Sequence, residues 1–407
     1  MAVRLPELEG LLPVPGVRLG TACAGIKRLD RDDLALIVLD AESTVSAVFT
    51  QSGFRAAPVE LAESRVSEGH PRVLLINSGN ANAATGEPGA ADARALCDHA
   101  AIRLGDGLIG AQVLPFSTGV IGERLPVDAI RQGIDDAAGD LSGDHWAAAA
   151  RAIMTTDTGP KAVSASMTVD NAEISITGMA KGSGMIKPDM ATLLAFICCD
   201  ARVSGAVLRM LTREVADRSF NRVTIDGDTS TNDAFVICAT GAARNDAIER
   251  PSEAYDALRS SVEAVACELA QRIVRDGEGA TKFVTVRVSG GATRTECLDV
   301  AYTIAESPLV KTAIFAGDPN WGRFCMAIGR SGVQDLDTSK VALALDDVVV
   351  ARGGLVAEDY VEAAAAEVMA RDEYAIHVDL GRGGCEEVVW TSDLSYEYVR
   401  INAEYRT

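Results

Sequence analysis

The chain has 407 residues, 48% of them hydrophobic, and a formal net charge of −20 from 38 basic and 58 acidic side chains. A length of this order points to about two or three domains, and the low aromatic content (5%) beside many small residues suits close-packed α/β layers. The acidic balance repels nucleic-acid phosphate and anionic membrane, so neither is an expected partner. No stretch nears the roughly 20 apolar residues of a membrane span, and no basic-then-apolar leader opens the chain. A cytoplasmic location is therefore expected. The nine cysteines are odd in number and form no Cys-x-x-Cys pair, which reads as reduced structural thiols.

In chain order, Leu34–Leu39 and Val45–Phe49 read as strands, and Val73–Ile76 as a short buried strand running into the polar loop Asn77–Asn82. Residues 90–104 are Ala-rich and helical. Residues 111–116 form a strand ending in a Ser117-Thr118-Gly119 turn, and Pro126 opens a helix. A helix over 145–154 leads to Thr155-Thr156-Asp157. Strands over 162–169 and 172–177 pair about an Asp170-Asn171 turn. A Gly-rich loop and an apolar strand from Thr192 follow, then a helix over 205–220, a polar loop over 226–233 and a strand over 234–238. Residues 255–275 carry a helical stripe stopped by Gly277. Beyond it come a strand at 283–288, a hairpin about Asp346-Asp347, a helix over 357–371 and a strand over 374–380. The composition shift places a boundary near 285, dividing 1–285 (with 200–280 as a subdomain) from 286–407.

Several chemical motifs fail on context. Gly105-Asp-Gly-Leu-Ile-Gly110 follows a helix and precedes a strand, the reverse of a dinucleotide site, and reads as a turn. Asp226-Gly-Asp-Thr-Ser-Thr-Asn begins like a calcium loop but lacks its sixth-position glycine and terminal glutamate. The four histidines, at 70, 99, 145 and 377, show no metal-ligand spacing and no place in a functional-looking loop. An enzyme this poor in histidine must find a base for a hydroxyl nucleophile elsewhere.

The run Lys181-Gly-Ser-Gly-Met-Ile-Lys-Pro-Asp-Met-Ala191-Thr192 offers one. Gly182 and Gly184 allow tight backbone paths, Pro188 stiffens the approach, and Ala191 adds little bulk beside the carbonyl that a threonine hydroxyl would attack. Cleavage there leaves Thr192 with a free α-amine, which is a base adjoining its own hydroxyl. Equally, a β-branched threonine commonly opens a strand. The local sequence leaves both readings standing.

Met185-Ile-Lys-Pro-Asp-Met-Ala-Thr-Leu193 resembles the cleavage motif of the ornithine acetyltransferase (glutamate N-acetyltransferase) family of arginine biosynthesis. Further ordered blocks resemble the same family, among them Leu75-Ile-Asn-Ser-Gly-Asn-Ala-Asn82, Ser117-Thr-Gly-Val-Ile-Gly122, Ala152-Ile-Met-Thr-Thr-Asp157, Ile225-Asp-Gly-Asp-Thr-Ser-Thr-Asn-Asp233 and Asp276-Gly-Glu-Gly-Ala-Thr-Lys282. The resemblance implies self-cleavage between Ala191 and Thr192 into an α chain (1–191) and a β chain (192–407). It implies an α/β layered sandwich with an N-terminal-nucleophile-like αββα core and a smaller C-terminal α/β domain. An α₂β₂ assembly and no cofactor are expected with it. The reaction implied is ping-pong transfer of acetyl from N²-acetylornithine to glutamate, yielding ornithine and N-acetylglutamate; whether acetyl-CoA is a second donor stays open.

By the same resemblance Thr192 is the nucleophile, Thr118 and Gly119 stabilise the oxyanion, and Thr156, Lys181, Thr192, Glu278, Asn402 and Thr407 bind substrate. Lys181 suits a substrate carboxylate and Glu278 an ammonium. Two rivals are an N-terminal-nucleophile aminopeptidase or amidase that passes the acyl group to water, and an uncut metabolite-binding or scaffold protein.

Overall fold

The computed structural model describes residues 3–187 and 193–404. Strands β1 (Val17–Ala22), β2 (Leu34–Leu39), β4 (Val73–Asn80) and β5 (Val113–Val120) form a sheet in that order. The β4–β5 pair is parallel and the others antiparallel. A second sheet runs in the order β3 (Thr44–Phe49), β10 (Ala234–Ala239), β8 (Leu194–Cys199), β7 (Ala172–Lys181) and β6 (Lys161–Val169).

The inner strands β2 and β8 are buried at every position, covered on both faces, which is why they read as continuous hydrophobic runs. Ala35, Ile37 and Leu39 of β2 point into the layer between the sheets, where they meet Phe196 and Cys198 of β8 and Val236 of β10. Phe116 and Phe196 make an edge-on contact across that layer at 5.1 Å between ring centroids. On its outer face the first sheet packs Leu34, Leu36 and Val38 against helices α2 (Gly86–Leu104) and α3 (Val127–Gly139). The second sheet packs Ala195 and Ile197 against α5 (Gly205–Arg218) and α6 (Glu253–Arg275). Helix, sheet, sheet, helix is thus the layer order, with α1 (Ala57–Glu68) and α4 (Trp146–Ala152) at the margins of the middle layer.

A third sheet runs β14 (Leu355–Val356), β13 (Val348–Arg352), β12 (Ala342–Leu345), β15 (Glu373–Asp379), β11 (Phe283–Gly291), β16 (Cys385–Ser392) and β9 (Val223–Thr224). Helices α7 (Arg294–Ala305), α8 (Pro308–Ala316), α9 (Trp321–Gly329) and α10 (Glu362–Met369) share its core. Helix α11 (Tyr396–Ala403) follows β16 and returns toward the first two sheets. Among the described residues no helix is long and apolar enough to cross a membrane.

Three sequence expectations need correction. Asn77–Asn80 belongs to β4 rather than to a loop, and Ser117–Val120 continues β5 through the expected turn. Their polar side chains bond to one another and to backbone, so the ladder runs on past the apolar residues. The helix expected over 357–371 spans only Glu362–Met369. The Ala357 N–H donates to Val350 O of the preceding hairpin (3.0 Å) and the Tyr360 N–H to Ala357 O (3.0 Å), so residues 357–360 close the hairpin as a turn instead of forming the helix's first turn. The strand expected from Thr192 is described from Leu194, and Thr192 itself lies outside the described residues.

Candidate functional site

Where β4 and β5 end side by side, the ladder carries a bulge at Gly79–Asn80. Gly119 sits there at φ +135°, and a Cβ on it would lie 2.2 Å from the Gly79 carbonyl carbon. Only glycine fits, because the obstructing atoms are backbone. Asn and Ser residues brace the bulge. Ser117 Oγ donates to Asn77 Oδ1 (2.6 Å), Asn77 Nδ2 to Asn80 O (2.9 Å), and Ser78 Oγ to Ala152 O (2.7 Å). Asn232 Nδ2 donates both to Ala81 O (2.6 Å) and to Ser117 O (2.9 Å), tying the two strand ends together. Thr118 and Gly119 are thereby held half-buried at the edge of a cavity.

Lys181 ends β7 and is buried. Its ammonium lies 3.9 Å from Asp157 Oδ2. Asp157 Oδ1 accepts from Lys161 Nζ (2.7 Å) and the Gly182 N–H (2.8 Å), and Oδ2 from the Thr155 N–H (2.9 Å). One carboxylate therefore places the backbone beside both Thr156 and Lys181. Lys161 also donates to Asp276 Oδ2 (2.6 Å), so two buried aspartates share one fully buried lysine. Burial opposes the charge on Asp157, but Lys161 and Lys181 more than offset it and hold the carboxyl well below the ordinary range. For Lys161 burial is likewise outweighed by Asp157 and Asp276, and its pKa rises. Lys181 goes the other way: burial lowers it, and Asp157 offsets only part of that.

Glu278 follows α6 in a turn joined to the Gly-rich loop, its N–H donating to Ser183 O at 2.7 Å. Gly184 makes room for its carboxylate, since a Cβ there would lie 2.6 Å from the Glu278 carboxylate carbon. Asn402 Nδ2 of α11 donates to Glu278 Oε2 (2.8 Å). That helix is seated by Ser395, whose Oγ caps the Tyr398 N–H (3.4 Å) and donates to Gly279 O (2.7 Å).

Thr118, Gly119, Thr156, Lys181, Glu278 and Asn402 all line one cavity of about 170 Å³. Leu193, the residue after Thr192, lines it too. Ala191, Thr192 and Thr407 lie outside the described residues. The cavity offers a cation and an anion on opposing elements, and a bulge with a hydroxyl and a glycine N–H. That set can receive a small zwitterion and a developing oxyanion. Among the described residues no histidine lines it; His99 pairs with Asp135 (3.0 Å) and His145 with Asp140 (3.3 Å). Asp157, Lys161, Asp276 and Asn232 were not singled out by the sequence. Asp157 and Asn232 stand in polar blocks that could have flagged them, whereas the Lys161–Asp276 pair joins positions 115 apart and has no local signature.

The ArgJ family model matches residues 18–407. The arginine biosynthesis bifunctional protein ArgJ of Pseudomonas syringae pv. tomato (strain ATCC BAA-871 / DC3000) is 54% identical over 408 residues, covering 100% of both chains. Its counterpart in Pseudomonas fluorescens (strain Pf0-1) is 52% identical over 410 residues, again covering 100% of each. Among solved structures, the arginine biosynthesis bifunctional protein ArgJ from Bacillus halodurans is 36% identical, covering 52% of this chain and 97% of that one, with a TM-score of 0.49.

Proposed function

We infer the function from the premise that the chain belongs to the ArgJ family, whose curated relatives are enzymes of arginine biosynthesis. The chain is an acyltransferase that moves the acetyl group of N²-acetylornithine to glutamate. We propose that it does so through an acetyl ester on Thr192, after cutting itself between Ala191 and Thr192. The observation that carries this reading is the convergence of Thr118, Gly119, Thr156, Lys181, Glu278 and Asn402 on one cavity that Leu193 also lines.

In the precursor, Thr192 Oγ attacks the Ala191 carbonyl and the C–N bond breaks. The resulting ester is hydrolysed, and the Thr192 amine is freed. In turnover that amine takes the proton as Oγ attacks the acetyl carbonyl of N²-acetylornithine. Thr118 Oγ–H and the Gly119 N–H donate to the oxyanion, each such donor being worth about 3 kcal/mol. Collapse expels ornithine. The α-amine of glutamate then attacks the acetyl-threonine ester, giving N-acetylglutamate and the free hydroxyl.

Lys181 holds the substrate carboxylate. Glu278, positioned by Asn402, faces the ammonium, and Thr156 and Thr407 complete the contacts. The chemistry asks for no cofactor. The two chains are proposed to assemble as α₂β₂.

Intact mass of the purified protein tests the first step: fragments of 191 and 216 residues (407 − 191), the second beginning with threonine, are expected. A single 407-residue species with full activity would refute it. Supplying N²-acetylornithine with and without glutamate tests the second step. Ornithine release at full rate without glutamate would identify an amidase instead. Acetyl-CoA in place of N²-acetylornithine shows whether a thioester also charges Thr192.

A further inference from the structure

The polar segment that follows β9 resembles the start of a calcium loop in sequence, yet its first carboxylate, Asp226, bonds the backbone of the Gly-rich loop. Asp226 Oδ2 accepts from the Met185 N–H (2.7 Å) and Oδ1 from the Ile186 N–H (3.0 Å). Ile186 O accepts from the Ile225 N–H (2.9 Å) and from Thr224 Oγ (3.0 Å). On the other side of the junction, Leu193 O accepts from the Ala234 N–H (3.0 Å). One stretch, residues 224–234, therefore holds the chain at both Ile186 and Leu193. Only the six residues 187–192 lie between these two anchors.

The anchor before the junction depends on a charge. Met185 is held at φ +53°, in the left-handed region that a non-glycine side chain disfavours. Successive N–H groups from such a backbone converge on one acceptor, and a carboxylate can serve both at once. Tyr398 Oη of α11 also donates to Asp226 Oδ2 (3.3 Å). The same segment sends Asn232 to the bulge that bears Thr118 and Gly119. The incoming chain and the oxyanion donors are thus referred to a single frame.

We propose that Asp226 is a positioning residue for self-cleavage: by gripping the N–H groups of Met185 and Ile186, it aims the chain so that Thr192 Oγ can reach the Ala191 carbonyl. The proposal rests on the self-cleavage reading above. Asp226 makes no contact with the reacting atoms; it acts through the backbone it holds. The step it serves is the acyl shift, in which the Ala191–Thr192 amide becomes an ester on Oγ and a proton passes to the departing amine.

The test follows pulse-labelled full-length chain from cell-free synthesis as it converts from the 407-residue species to two fragments. Asp226→Asn keeps the shape but turns a donor toward one of the two N–H groups. It is expected to slow conversion at least about tenfold, the loss of a hydrogen bond to a charged group. Tyr398→Phe, which leaves the grip on the loop intact, converts at the wild-type rate. Hydroxylamine, which intercepts an accumulated ester, does not rescue Asp226→Asn, because the ester has not formed.

Wild-type conversion in Asp226→Asn overturns the proposal, and so does a full rescue by hydroxylamine. If circular dichroism shows Asp226→Asn unfolded, Thr224→Val decides, since it removes one O–H bond to Ile186 O without changing charge. Conversion of that variant at the wild-type rate overturns the proposal equally. A wild-type chain that never converts refutes the self-cleavage reading itself, and this proposal with it.

Discussion

Replacing Lys161 with methionine isolates the buried charge cluster behind the cavity. The side chain is 0% exposed, and its ammonium lies 2.7 Å from Asp157 and 2.6 Å from Asp276. Methionine approximates the stem but leaves two buried carboxylates facing each other. Breaking a buried ion pair by removing one partner typically costs about 3–5 kcal/mol. Some relief remains. Asp157 keeps the Thr155 and Gly182 N–H groups and the nearby Lys181. Asp276 keeps the Thr158 N–H (2.9 Å) and the Thr158 hydroxyl.

A loss of about 3–5 kcal/mol corresponds to a melting point lower by ~6–10 °C, at about 2 °C per kcal/mol for a chain of this size. The pH dependence has a defined sign. In the wild type Asp157 has a lowered pKa, so its contribution is full above the ordinary aspartate value and is lost as pH falls through the lowered one. In Lys161→Met burial and mutual repulsion instead raise one carboxyl, and the destabilisation relative to wild type shrinks as pH falls from 8 to 5. Adding Asp276→Asn to Lys161→Met recovers part of the loss, because the uncompensated charge is removed. Denaturant unfolding at both pH values measures these quantities. A loss under about 1 kcal/mol, or one independent of pH, would show that the cluster does not carry the charge balance assigned to it.

Deleting residues 402–407 removes Asn402 from Glu278 and should abolish acetyl transfer while leaving cleavage largely intact; a truncated enzyme with full turnover would exclude α11 from the site. Gly119→Ala places a Cβ 2.2 Å from the Gly79 carbonyl carbon at a φ of +135°. It should cost roughly 3 kcal/mol or more in stability, with little activity in the folded fraction, and a thermal melt with a transfer assay checks both. Because burial lowers the Lys181 ammonium, kcat/KM for the first half-reaction should decline as pH rises, beginning below the ordinary lysine value of about 10.4. A profile flat to pH 10 would remove Lys181 from carboxylate binding.

Much of the layered core was legible along the chain. β2 and β8 are apolar at every position because each is covered on both faces, and an uninterrupted hydrophobic run between turn residues reports that directly. The Asp170-Asn171 hairpin was equally plain, since both residues take positive φ (+50° and +64°), which Asn and Asp tolerate. The ends of β4 and β5 were misread because their residues are Asn, Ser, Thr and Gly. Such residues signal loops when their partners are unknown, and here the partners lie in the neighbouring strand and in Asn232.

The chemistry divides along the same line. Local sequence and family blocks nominated Thr192, Thr118, Gly119, Thr156, Lys181 and Glu278 as candidates, because each sits in a short run with its own character. Tertiary structure alone decided that Lys181 and Glu278 face one cavity and that Asn402 from the far end of the chain holds Glu278. It alone showed that Lys161 balances Asp157 and Asp276. These pairings join positions from 4 to 124 residues apart, and a charge or hydrogen bond across such a span leaves no periodicity in either segment. Burial makes the pairings necessary, and burial is a property of the packed layers rather than of any one stretch of sequence.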